Sequence, residues 1–101
     1  MQIRIPFTSQ FKQAMLDGVK ICTSRSKRFG EPGDRFTAFG AEFELISVNK
    51  ETLDYVAAYL WKEEGCESSW HFIRVWEEIH PIKGFDPEWK VWVHKFAKLG
   101  G

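Results

Sequence analysis

Two stretches in the second half of the chain repeat apolar residues at helical spacing. Leu53, Val56, Ala57, Leu60 and Trp61 fall at i, i+3, i+4, i+7 and i+8, which predicts an amphipathic helix ended by Gly65. Phe72, Val75, Trp76 and Ile79 repeat the pattern in a helix capped by Ser68 or Ser69 and stopped by Pro81. Elsewhere the pattern is that of strands. Residues 35–39 alternate polar and apolar side chains, and Phe43, Leu45, Ile46 and Val48 mark a second strand. The pair Gly40-Ala41 between them reads as a tight hairpin connection. Residues 89–96 have the β-branched and aromatic content of a central strand.

The first third is less regular. Residues 3–6 predict a short strand stopped by Pro6. Thr8 or Ser9 is expected to cap a helix that runs to about Asp17 and carries Phe11, Ala14 and Met15 on one side. Gly18 suits the left-handed position that ends helices. A short extended segment follows over 20–25. Glu31-Pro32-Gly33-Asp34 is a turn in which Pro sets one dihedral and Gly supplies a positive one. Strands at both ends with helices between them predict an α+β domain whose sheet is curved or closed into a small barrel.

Composition narrows the function classes. A length of 101 residues predicts one domain, and five Trp and nine Phe supply the volume for its core. Fourteen basic and fourteen acidic residues cancel, so any contact with nucleic acid must be local. Cys22 and Cys66 form no CxxC pair, and the N-terminus is not signal-like, which predicts a reduced cytoplasmic protein. No apolar run approaches the roughly 18 residues of a membrane span, so no membrane partner is expected. His71, His80 and His94 lack metal-site spacing, and neither a metal nor another cofactor is expected. A monomer is the expected state.

The stretch most suggestive of chemistry is Gly18-Val19-Lys20-Ile21-Cys22-Thr23-Ser24-Arg25, which leads into Lys27 and Arg28 with no acid from Lys20 to Gly30. With the Pro32-Gly33-Asp34-Arg35-Phe36 turn, the Glu64-Gly65 pair and the closing Val91-Trp92-Val93-His94-Lys95-Phe96 strand, it resembles the ASCH domain family of the PUA-like superfamily over nearly the whole chain. The resemblance implies a small PUA-like β-barrel with flanking helices, as a single domain over 1–101, that binds RNA or a modified nucleoside. It is nearest the small bacterial amidohydrolases that deacetylate N4-acetylcytidine. In that branch a Lys, a Thr and a Glu act, and the matching positions are Lys20, Thr23 and Glu64. Two neighbours depart from the family pattern: Ile21, where Thr is usual, and Ser24, where an apolar residue is common.

Amide cleavage needs a base or nucleophile, a donor for the developing oxyanion and an acid for the leaving nitrogen. Lys20, Thr23 and Glu64 would fill those roles in that order. Glu64 follows Glu63 at an expected helix C-terminus, and both features favour its protonated form unless a cation is near. Residues three apart in a regular strand face opposite ways. Lys20 and Thr23 can therefore share a site only if Lys20 lies in the turn after Gly18 or the strand bulges. Ser24, Arg25, Lys27 and Arg28 are the candidate ligand and phosphate contacts, against the plainer reading of a solvated basic loop. Trp61 and Trp76 are expected in the core; Trp70 and Trp89 are better placed for exposed stacking, although packing is the favoured reading even there. A non-catalytic RNA-binding module and a protein-interaction domain are the competing readings.

Overall fold

The computed structural model describes residues 1–100. Among them, four strands form one antiparallel sheet in the order β1-β4-β3-β2. They are β1 Cys22–Arg25, β2 Arg35–Ala38, β3 Ala41–Thr52 and β4 Lys90–Lys98. The last strand of the chain is thus internal, as its aromatic and β-branched content predicts. The sheet curls into a half-barrel with helices beside it, an α+β fold. β3 carries much of the curl. It pairs with β2 over residues 41–44 and with β4 over residues 43–52, with a bulge between Leu45 and Ser47. The bulge turns Ile46 out to solvent, although Ile46 reads in sequence as one of the apolar positions of the strand.

The β2–β3 hairpin turns at Phe39-Gly40 rather than Gly40-Ala41. Both turn residues have positive φ, 53° and 78°, and Ala38 pairs with Ala41. Two positive dihedrals match the right-handed twist of the flanking strands. The strand expected over 3–6 is also reduced. Only a parallel bridge from Gln2 to Arg35 forms, with Ile3 N donating to Arg35 O at 2.7 Å. The first helix is broken into a 3-10 turn, Ser9–Phe11, and a short α1, Lys12–Leu16, and neither start has a side-chain cap. Gly18 has φ 75°, and the amides of Val19 and Lys20 return to Ala14 O at 2.8 and 2.9 Å.

α2, Leu53–Tyr59, ends before Gly65. The chain continues through turns in which Glu64 N reaches Leu60 O at 2.9 Å and Cys66 N reaches Trp61 O at 3.0 Å. These turns, not α2, end at Gly65. α3, Ser69–Ile79, is capped by Ser68, whose hydroxyl accepts from His71 N at 3.0 Å. None of the described helices is long and apolar enough to cross a membrane.

Strand alternation sorts the core onto the two sides of the sheet. On one side Cys22, Val91 and Val93 meet Leu53, Val56 and Ala57 of α2 and Phe72 and Trp76 of α3. On the other, Phe36, Phe43 and Phe96 pack with ring centroids 5.2–5.4 Å apart, closed by Ile5, Met15 and Leu45. Each fully buried large apolar side chain contributes about 1.5–3 kcal/mol. β1 forms an edge of the sheet. Its outer side is covered near its start, where the amides of Ile21 and Cys22 both donate to Glu63 O.

Candidate functional site

A cleft of about 350 Å³ opens between the N-terminal segment, β1, the turn at Glu64 and α3. Phe7 and Phe11 line one part of it, Phe72 and Trp76 another, and Lys20, Thr23, Ser24 and Glu64 supply its polar groups. A mostly apolar recess with a few converging polar atoms is the usual form of a small-ligand site.

Lys20 lies in the turn after Gly18, before β1 begins at Cys22. This satisfies the geometric condition for sharing a cleft with Thr23. Its side chain is 3 % exposed. The Nζ donates to Cys22 O at 2.8 Å, to Glu64 O at 2.7 Å and, most loosely, to Glu64 Oε1 at 3.5 Å. All three ammonium protons therefore have acceptors, and the Phe11 ring lies 4.6 Å away.

The Glu64-Gly65 pair has a local cause. Gly65 has φ 88°, and a Cβ there would sit 2.8 Å from Lys20 Cβ. The lysine stem runs across the bare glycine, which lets Glu64 offer both its carbonyl and its carboxylate to the same ammonium. The other carboxylate oxygen, Oε2, accepts from Ser24 Oγ at 2.6 Å, with the Cys22 thiol at 3.6 Å. A buried cation thus stands beside the Glu64 carboxylate. Burial and the Glu64 charge push the Cys22 thiol far up, and burial pushes Cys66 up to about 11. Both remain thiols at neutral pH, so neither is a ready nucleophile.

Thr23 is buried on the other side of the edge strand. Its Oγ1 accepts from Arg25 Nη1, and no hydrogen bond joins its side chain to Lys20 or Glu64 among the described residues. Arg25 also donates to Ser24 O at 3.0 Å and Pro6 O at 2.7 Å, with its guanidinium 5.1 Å from the Phe7 ring. It fastens the lip of the cleft to β1. Burial lowers its basicity, opposed by the charge of Glu64.

Lys27 lines the cleft beside Phe29. Arg28 does not: it donates to Gly30 O at 2.9 Å and lies 5.3 Å from the Trp92 ring. His94 Nε2 accepts from Phe29 N at 3.0 Å, which leaves Nδ1 to donate to the Trp92 and Thr23 carbonyls. Burial lowers the His94 pKa, so the ring is neutral at pH 7.

The aromatic residues divide differently from the sequence expectation. Trp70 is exposed, but Trp89 is half-buried, edge-on to Trp76 at 5.3 Å. Trp76 is a core residue and also lines the cleft. Its Nε1 is buried without a hydrogen-bond partner. Sequence reasoning missed the part Ser24 plays toward Glu64, the ring of Phe11 beside Lys20 and the place of Trp76 in the cleft. No local spacing signals these contacts.

No protein-family model matches the chain, and no curated protein matches it at a significant level. Solved structures do. The ASCH domain from Lactobacillus crispatus JV V101 aligns with a TM-score of 0.64 at 16 % identity, over 86 % of this chain and 69 % of that one. A protein from Enterococcus faecalis V583 of family DUF984 also gives 0.64, at 18 % identity, over 89 % and 70 %. A Pyrococcus furiosus protein solved in solution gives 0.68 at 15 % identity, over the whole of both chains. At these identities the likeness is one of fold. The chain is an α+β half-barrel with flanking helices, and it has the ASCH fold.

Proposed function

We propose that the cleft binds a cytidine-type nucleoside and hydrolyses the acetyl amide of N4-acetylcytidine. One observation carries this reading. Lys20 and Glu64, forty-four residues apart, meet as a buried pair at 3.5 Å on the wall of a nucleoside-sized recess, with Thr23 lining the same space. These are the three residue types that the amidohydrolase branch uses, and the cleft has the ASCH fold around it.

The geometry favours a division of roles in which Lys20 is a donor rather than a nucleophile. Its amine would have to release its acceptors to attack. Its loosest proton, toward Glu64 Oε1, is the one best able to turn to a developing oxyanion. Glu64 would take a proton from water as the water oxygen bonds to the acyl carbon. It would then deliver that proton to the exocyclic nitrogen as the C–N bond breaks, leaving acetate and cytidine. Thr23 accepts from Arg25 and so keeps its own hydroxyl proton for a ligand acceptor. The test is chromatographic detection of cytidine and acetate from N4-acetylcytidine. The native protein should turn over, and Glu64→Gln should lower kcat by roughly 10²-fold or more. An inactive native protein would remove the hydrolase reading.

A second reading, a binding module without chemistry, draws on the exposed Lys27 at the rim of the cleft. It predicts nucleoside binding without product.

A further inference from the structure

The far end of the cleft carries a titratable group that the hydrolytic roles leave unused. β1 and α3 both leave from the turn at Glu64. The amides of Ile21 and Cys22 donate to Glu63 O at the start of β1, and the chain passes from Gly65 through Cys66 into α3. At the other end of β1, Arg25 pairs with Trp92 of β4. Trp89, three residues before Trp92, lies edge-on to His80 with ring centroids 5.4 Å apart. α3 therefore runs alongside β1 from its start toward its end. Lys20 and Glu64 stand at one end of the cleft and His80 at the other, with Phe72, Trp76 and Ile79 as the wall between them. From Phe72 to His80 the helix advances about 12 Å.

His80 is half-buried there and held from several sides. Its ring stacks on Trp76 at 4.2 Å, its amide donates to Trp76 O at 2.9 Å, and its carbonyl accepts from Gly84 N at 2.8 Å. Nδ1 lies 3.2 Å from the same Trp76 carbonyl. A carbonyl only accepts, so Nδ1 carries the proton, and Nε2 of the neutral ring is an acceptor. Among the described residues Nε2 has no hydrogen-bond partner. We propose that His80 is a specificity-determining residue whose Nε2 accepts from a hydroxyl at the end of the bound molecule remote from the scissile amide, an assignment that rests on the nucleoside reading of the cleft. A nucleoside with its acetyl amide at Glu64 lays its flat base along the Phe72–Ile79 wall and brings its ribose hydroxyls to the His80 end. A free base leaves that end empty and the acceptor unused. Because the ring is already fixed by its stacking and its Nδ1 bond, engaging it costs little entropy.

The experiment is a chemical-shift titration of the isotopically labelled protein with cytidine and with cytosine, neither of which has an amide to hydrolyse. The native protein should bind cytidine about fivefold or more tighter than cytosine. The His80 Nε2 signal should move with cytidine and stay in place with cytosine, a readout that needs no variant. His80→Phe keeps a ring to stack on Trp76 but lacks the acceptor, and it should lose the margin between the two ligands. His80→Gln restores an acceptor oxygen and should recover part of it. Circular dichroism checks the fold of each variant. An unmoved Nε2 signal at saturating cytidine, or the same margin in native protein and His80→Phe, would overturn the proposal while leaving the cleft as the nucleoside site. Cytidine held through His80 in a protein that does not cleave N4-acetylcytidine would remove the hydrolase reading and leave His80 its role. No shift in the cleft with cytidine, cytosine or N4-acetylcytidine would remove both.

Discussion

The segment from Lys20 to Arg28 divides into two halves made of similar residues in opposite settings. In the first half Lys20, Thr23 and Ser24 are buried, and each polar side chain is engaged by Glu64 or Arg25. In the second half Lys27 and Arg28 are exposed, and their contacts are an aromatic ring each and one backbone carbonyl. The difference comes from what covers β1. The turn at 61–65 closes over the start of the strand and brings Glu64 with it. The loop after Arg25 has no such cover. Basicity alone therefore does not mark a ligand-binding residue. The buried half is built to hold a fixed geometry, and the exposed half is free to meet a charged partner.

The contrast is broken most severely at the buried pair. Lys20→Met leaves the Glu64 carboxylate with no cation in a low-dielectric site. It should destabilise the fold by about 3–5 kcal/mol, read as a lower urea midpoint. Lys20→Met combined with Glu64→Leu should recover part of that loss, because no charge is then left alone. A loss in the single variant no larger than that expected for Lys27→Ser, within about 0.5 kcal/mol, would erase the distinction between the halves.

A smaller effect separates two glycines with nearly the same dihedral. Gly18 and Gly65 have φ 75° and 88°, but a Cβ on Gly18 meets nothing within 4 Å, whereas one on Gly65 strikes the Lys20 stem. Gly18→Ala should cost only the left-handed penalty of about 1–2 kcal/mol. Gly65→Ala should cost more and should also disturb the Lys20–Glu64 pair. Equal losses in thermal or urea unfolding would show that Gly65 serves the backbone alone.

The smallest effect concerns pH. Burial holds the folded His94 below its ordinary value of 6.5, with Arg25 and Arg28 adding to the shift and its carbonyl partners opposing it. Above that value the ring is neutral in both states and nothing is lost. As pH falls below about 6.5, the unfolded chain takes up a proton that the folded chain refuses. Stability then declines until the folded ring also protonates. Urea midpoints measured from pH 7.5 down to pH 5.5 should fall for the native protein and fall less for His94→Gln.

What the sequence revealed follows the range of the interaction. α3, its Ser68 cap and the Gly18 ending were legible because their signals lie within a few residues. The hairpin was read one residue late, since nothing in Phe39 announces a positive φ; its strained backbone is accepted where the ring packs against the Phe core. The strand at 3–6 failed because Pro6 cannot donate and only Ile3 reaches the ladder. Lys20, Thr23 and Glu64 could be grouped only through the family resemblance, because the contact spans forty-four residues. Ser24 was read as a ligand contact; it lines the cleft, and its hydroxyl also donates to Glu64. That carboxylate lies forty residues away in sequence, so no local pattern could show the contact.

The most direct test is an amide chemical-shift titration of the isotopically labelled protein with N4-acetylcytidine. The account predicts saturable shifts at the cleft, in Ser24, Glu64, Cys66 and Phe72, with residues of the β2–β3 hairpin unmoved. Shifts centred on the hairpin, or none at saturating nucleoside, would contradict it.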